Sequence, residues 1–222
     1  MRWRSERSTR YIPALDFDWL TPLYDPLIRL TMPERRFKSR LIERARIADG
    51  MRVLDLGCGT GTLTMMVKHR YPRAHVVGLD GDPKILAIAR QKAEKEGITL
   101  TFEGAMAFDL PYAEGSFDRV LSSLVFHHLT REDKRRTFAE CFRVLRPGAE
   151  LHIADWGRPH NLLMWLASWS VRLFDGPKTT TDNLHGRLTE LCRGAGFVDV
   201  VEGDRFATIF GTLSMYTAQK PQ

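Results

Sequence analysis

The run Val53-Leu54-Asp55-Leu56-Gly57-Cys58-Gly59-Thr60-Gly61 constrains this chain more than any other stretch. Apolar residues lead straight into three glycines spaced two apart, and helix-compatible residues follow from Thr62 to Arg70. The pattern predicts a buried strand, a tight turn and a helix start. Glycine lacks a Cβ, so such a turn takes φ > 0 easily and lets backbone approach a ligand. The spacing is GxGxG, whereas the dinucleotide fingerprint GxGxxG wants a glycine where Thr62 stands. Asp55 sets a carboxylate beside the turn. It is a poor neighbour for a pyrophosphate and suits a cationic or amino-bearing ligand. Both features argue against a nicotinamide-dependent oxidoreductase.

The next apolar run, His75-Val76-Val77-Gly78-Leu79-Asp80, ends in an acid 23 residues past Gly57. An acid at the tip of a second strand, about 20 residues after the turn, is placed to accept ribose hydroxyls. With these two motifs the chain resembles the class I S-adenosylmethionine-dependent methyltransferases. The resemblance continues through Gly115-Ser116-Phe117-Asp118-Arg119-Val120 and Leu145-Arg146-Pro147-Gly148, and covers residues 37–155 well. It implies S-adenosyl-L-methionine as cofactor, a sheet order 3-2-1-4-5-7-6 and a closing antiparallel hairpin. The branch it most resembles holds ubiquinone/menaquinone C-methyltransferases and phospholipid N-methyltransferases.

Hydrophobic periodicity extends the picture. Strands are expected near 52–56, 75–80, 99–103, 117–123, 149–155, 197–203 and 209–219. Helices are expected near 16–30, 34–48, 61–70, 83–96, 131–145 and 183–195. Alternation of this kind predicts an α/β fold, a doubly wound and mostly parallel seven-stranded sheet with an N-terminal helical cap. Asp82 and Pro83 read as N-cap and first helical residue. Gly97 and Pro147-Gly148 read as helix stops, and Gly203-Asp204 as the tight link of the final hairpin. Residues 1–48 form an arm and cap in this reading. Residues 49–222 form the cofactor-binding domain, with a lid insertion near 156–182.

Composition sets the outer limits. The 222 residues carry 27% charged and 43% hydrophobic side chains, as a soluble globular chain does. Cys58, Cys141 and Cys192 are odd in number and widely spaced, which fits a reducing cytoplasm with neither disulfides nor a zinc pattern. The basic N-terminus lacks the apolar core of a signal peptide. Net charge is +6, with Arg2, Arg4, Arg7 and Arg10 crowding the first ten residues. Such a cluster suits an anionic surface or a solvated helix face. The Asn/Asp-Pro-Pro-aromatic sequence of nucleic-acid amino methyltransferases is missing at Ser122-Ser123-Leu124-Val125-Phe126-His127-His128, so no nucleic-acid partner is expected.

From the resemblance, Asp55, Gly57, Gly59 and Gly61 wrap the methionine part of the cofactor. Asp80 and Gly81 take the ribose, and Ala105 and Met106 flank the adenine. An acid common in relatives at position 105 is replaced here by alanine. Ser122 lies where strand four runs beneath the sulfonium. Candidate catalytic groups are His128 and its neighbour His127, since imidazole titrates near neutrality, Asp155 at the end of strand five, and Tyr24 or Tyr11 in the cap. Each has a plain alternative: His128 packing at a helix start, Asp155 capping a loop, the tyrosines merely packing. No metal ligand set is expected. The segment 161–174 is apolar, helix-compatible and too short to span a bilayer. It reads as a lid, and its tryptophans also suit a membrane interface. The expected activity is methyl transfer to a small apolar or amphiphilic acceptor. Alternatives are phospholipid N-methylation at a membrane surface and a non-catalytic methyltransferase-like binding subunit.

Overall fold

In the computed structural model, which describes residues 34–222, strand β1 (Arg52–Leu56) lies at the centre of the sheet. Val53, Leu54, Asp55 and Leu56 are all buried there. It pairs in parallel with β2 (His75–Asp80) on one side and β4 (Phe117–Ser123) on the other. β3 (Thr101–Gly104) extends the sheet beyond β2, and β5 (Leu145–Trp156) extends it beyond β4, both in parallel. β7 (Gly211–Gln219) inserts antiparallel between β5 and β6 (Val198–Thr208). The order is therefore β3-β2-β1-β4-β5-β7-β6, as the resemblance implied. Parallel strands need helical crossovers, and helices bury both faces of the sheet.

On one face, Phe138 and Cys141 of α4 (Arg131–Val144) and Leu188 and Cys192 of α7 (Leu188–Gly194) pack with Leu151 and Tyr216. On the other, α1 (Glu34–Arg44) and α2 (Thr62–Arg70) contribute Phe37, Leu41, Leu63 and Val67 to a cluster with Leu121 and Ala154. The described part of the cap thus lies in the core. A third cluster joins Leu86 and Ala89 of α3 (Pro83–Lys95) to Phe102. The start of α3 is set as expected: Asp82 accepts the Lys84 amide at 2.8 Å, and Pro83 occupies the first turn. All three cysteines are free and buried.

Three expectations are corrected. Gly203-Asp204 is no hairpin link: it lies in a bulge of β6, between the pairs Glu202–Tyr216 and Arg205–Ser214, and the turn falls at Ile209-Phe210. The bulge aims Asp204 at α1, where it accepts from Arg40 at 2.8 Å and Arg44 at 3.2 Å. Pro147-Gly148 does not stop α4, which ends at Val144. The pair falls in β5, where the register advances from Leu145 to Glu150 while β4 moves only from Phe117 to Arg119. The helix expected at 183–195 is two, α6 (Pro177–Leu184) and α7, separated by Gly186 at φ 71°. The 161–174 segment is a helix, α5 (Leu162–Asp175). Among the described residues no helix is long and apolar enough to cross a membrane, and no cluster of His, Cys, Asp and Glu suits a metal ion. Tyr11, Tyr24 and the helix expected at 16–30 lie outside the described residues.

Phe138 is fully buried, with its ring 4.6 Å from that of Phe126. Phe138→Ala is expected to cost about 3–5 kcal/mol of unfolding free energy in urea titration, through lost burial plus the cavity left behind.

Candidate cofactor and acceptor site

The glycine turn leaves β1 with Gly57 at φ 68° and Gly59 at φ 54°. The amides of Gly57 and Cys58 both donate to the Leu79 carbonyl, at 2.7 and 2.9 Å, and that of Gly61 donates to the Cys58 carbonyl at 2.9 Å. The Gly59 amide donates to Asp80 Oδ2 at 2.9 Å. These four donors are satisfied within the fold, so they do not form the row of free N–H groups a pyrophosphate needs. A Cβ on Gly59 would meet nothing within 4 Å, so the turn faces open space there. A Cβ on Gly57 would sit 2.3 Å from Val125 Cγ2, so this glycine is required by the loop beyond β4. At Gly61 the same atom would press on Phe102 and Ala89, which places that position in helix packing.

Asp80 joins two loops. Its Oδ2 holds the glycine turn, and its Oδ1 accepts the Asp82 amide at 3.0 Å. The residue stays partly exposed, with lone pairs to spare for further donors. Burial raises its pKa, and the amides of Asp82 and Gly59 oppose that rise. Gly81 follows in the same loop, and the Ala105 amide donates to the Asp80 carbonyl at 3.1 Å. Asp80, Gly81, Ala105 and Met106 are therefore neighbours at the carboxyl ends of β2 and β3. Ser122, fully buried, donates from Oγ to the Leu56 carbonyl at 3.1 Å.

Asp55 is buried with a single side-chain bond: Thr64 Oγ1 donates to its Oδ2 at 2.6 Å. Its Oδ1 is buried without a partner. Burial lifts its pKa from the ordinary 3.8 to about 6; the Thr64 bond and the charge of Lys38 on α1 oppose this. An orphaned carboxylate oxygen is costly unless something donates to it.

Asp155 has a different environment. It is fully buried and its two oxygens gather five donors. Oδ2 accepts the amides of Val125 at 3.0 Å and Phe126 at 2.7 Å. Oδ1 accepts the Trp156 amide at 2.7 Å, Asn183 Nδ2 at 3.0 Å and His127 Nδ1 at 2.8 Å. Burial works against its charge, but His127 and these donors outweigh burial and hold its pKa below the usual carboxylate range. No oxygen of Asp155 faces solvent; its surroundings are those of an anchor for residues 125–127. Of these partners, His127 stood among the candidate bases, whereas no motif pointed to Asn183. His128 is half-buried, its ring 3.9 Å from that of His127. Burial, then the neighbouring His127, lowers its pKa to about 3. Its imidazole is therefore neutral and weakly basic. Lys134, also unforeseen, is buried on α4 and donates to the carbonyls of Leu129, at 3.0 Å, and Thr179.

A turn with four satisfied amides, an acid at the end of β2 and an orphaned acid near the end of β1 make up the candidate site. Residues 53–148 match the profile of a methyltransferase domain. An uncharacterised methyltransferase of Synechocystis is 35% identical over 153 residues, covering 68% of this chain and 69% of that protein. The chain belongs to the class I S-adenosylmethionine-dependent methyltransferases. A demethylmenaquinone methyltransferase of Thermus thermophilus is 39% identical over 145 residues, 64% of this chain. A second protein of that name, from Deinococcus radiodurans, is 34% identical over 145 residues. The chain spans 65% and 59% of the lengths of those two relatives. A phosphoethanolamine N-methyltransferase of Haemonchus contortus, solved with S-adenosyl-L-methionine, shares the fold at TM-score 0.70. It is 19% identical, with 84% of this chain and 53% of that one aligned.

Two outcomes test the contrast between the acids. Asp155→Ala is expected to destabilise by about 3–5 kcal/mol in chemical denaturation, because it strands buried donors and the His127 ring. Asp55 has the opposite sign. Its folded pKa lies above the unfolded one, so its contribution is most favourable below about pH 4 and is lost as pH rises through about 6. Asp55→Asn should therefore stabilise the cofactor-free protein by about 1–3 kcal/mol at neutral pH. The advantage should vanish in melts recorded near pH 4.

Proposed function

We propose that this protein transfers a methyl group from S-adenosylmethionine to a small, lipid-like acceptor of the demethylated quinone type. The observation that carries the reading is the pairing of the Asp55 orphan oxygen with the Asp80-braced glycine turn. A buried carboxylate oxygen without a donor fits the ammonium of the methionine moiety. Asp80, braced by two amides and still partly exposed, fits the two ribose hydroxyls. The open space over Gly59 admits the chain between them. Ala105 and Met106 offer an apolar slot for the adenine, since the acid common in relatives is alanine here.

When bound, S-adenosylmethionine supplies a methyl carbon already activated by a sulfonium. What remains for the protein is alignment and exclusion of water. The loop 124–128 carries that task in this reading. Asp155 fixes its backbone, Val125 seats it on Gly57, and His128 meets the acceptor as a neutral hydrogen-bonding group. The acceptor's electron pair would take the cofactor's methyl carbon as the carbon–sulfur bond broke, with the acceptor's proton passing to water. Tyr24 remains a candidate for closing the site from the cap. The acceptor class is supported by the demethylmenaquinone methyltransferases among the relatives. Phospholipid N-methylation is the second reading, favoured only by the fold shared with the phosphoethanolamine enzyme.

Calorimetric titration should give binding of S-adenosylmethionine and none of NADH. Asp80→Ala is expected to weaken that binding by about 1.5–3 kcal/mol, the scale of lost charge-assisted hydrogen bonds. With a short-tailed demethylated naphthoquinone as acceptor, His128→Ala should lower turnover while cofactor affinity stays within about threefold. Equal binding of both nucleotide cofactors would overturn the cofactor reading. Turnover of a phospholipid amine and not of the quinone would overturn the acceptor reading.

A further inference from the structure

The lid helix α5 is anchored on one side and bare on the other. Asn161 Oδ1 caps it by accepting the Met164 amide at 2.8 Å, and His160 Nδ1 lies 2.8 Å from Thr212 Oγ1 of β7. Met164, Ser168 and Val171 are buried, with Ser168 packed at Gly211 where β7 begins. β7 begins opposite Trp156, so α5 lies at the carboxyl edge of the sheet, the edge that carries the site. α6 follows α5 directly and supplies Asn183 to Asp155.

The opposite face is apolar and open to solvent. Leu162 is 73% exposed, Leu166 54%, Trp169 55% and Leu173 83%. Their spacing of four, three and four residues sets them on one face along about 16 Å of helix. Trp165, 47% exposed, meets Trp169 edge to face at 5.8 Å, and exposed Ile209 lies at the nearby tip of the β6–β7 hairpin. A monomer in water leaves few such contiguous patches bare. Exposed Arg158 and Lys178 stand before and after the helix, and residues 157–181 hold Arg158, Arg172 and Lys178 against Asp175 alone. Leucines and paired tryptophans between basic flanks match an anionic bilayer, where indole rings favour the headgroup level and cations the surface charge. A second copy meeting this face about a two-fold axis would set the same basic flanks near each other, which charge opposes.

We infer that the bare face of α5 docks this methyltransferase on an anionic lipid surface, with the site mouth at the bilayer from which its acceptor comes. The choice of partner rests on the lipid-like acceptor proposed above. The face itself does not.

Flotation of the full-length protein with vesicles of phosphatidylcholine containing one quarter phosphatidylglycerol tests it. Binding is expected at low salt, and is expected to fall by about tenfold or more at high salt and with pure phosphatidylcholine. The double variant Leu166→Glu/Trp169→Glu changes only exposed positions, and an unchanged melting temperature will verify its fold. It should lose binding by at least about tenfold. Its turnover of a short-tailed, water-soluble acceptor should match wild type, while turnover of a vesicle-borne long-tailed acceptor drops. Absence of binding by the wild type, or binding untouched by the double variant, overturns the inference. So does a concentration-dependent dimer that the double variant dissolves, since the face would then belong to a second copy. Failure of the soluble acceptor with wild type would instead sink the acceptor reading and leave the vesicle result standing.

Discussion

The carboxylate of Asp155 ties the loop after β4, the carboxyl end of β5 and α6 into one arrangement. It ends β5 in a fully buried position and takes donors from the loop after β4, from its own next amide and from α6. Without those donors a charge at that depth would cost several kcal/mol. With them, three segments distant in sequence have one shared arrangement. The loop it fixes leaves β4 through Leu124, a non-glycine residue at φ 59°, a strained conformation that persists only where surroundings impose it. The Leu124 amide bonds the Ala154 carbonyl at 2.8 Å, and the amides of Val125 and Phe126 reach Asp155. That network supplies the imposition.

Two acids near the carboxyl ends of β1 and β5, the strands on either side of β4, thus have opposite economies. Asp155 is saturated and held ionised, whereas Asp55 keeps one oxygen buried and unpartnered and is pushed toward its neutral form. A fold selected for stability alone would exchange Asp55 for a neutral residue. Its retention beside an open glycine turn is intelligible if a cationic donor completes it, because the energy withheld from the empty fold is returned on binding.

The sheet was legible because its signals are local. Apolar runs of strand length, glycines at φ > 0 and acids at strand tips each report on their own few residues, and β1, β2 and β4 came out at the expected bounds. Asp80 was legible for the same reason. Asp155 was visible as a residue, with loop capping one of its two readings, but the choice was not, since an acid at a strand end looks the same whether it faces a ligand or five donors. Its partner Asn183 stands 28 residues away, on a helix whose start the pattern did not mark. Gly203-Asp204 misled because a Gly-Asp pair serves a hairpin and a bulge equally well. Only the partner of Asp204, on α1 some 160 residues earlier, separates the two. In α5 both faces are apolar, so periodicity marked the helix without saying which side would be buried.

Val125 carries the connection between the halves of the site. Its Cγ2 occupies the space a Cβ on Gly57 would need, so the loop held by Asp155 rests on the turn held by Asp80. The two loops, the proposed cofactor cradle and acceptor loop, are therefore set against each other by contact and not by separate placement. Displacement of an activated methyl group depends on alignment of three atoms, and errors near 1 Å are costly. In the proposed reading, buried Asp155, partly exposed Asp80 and the Val125 contact between their loops set that alignment before any substrate arrives. Outside that network lie the exposed outer face of α5 and the hairpin tip at Ile209, where the proposed acceptor's apolar tail would approach.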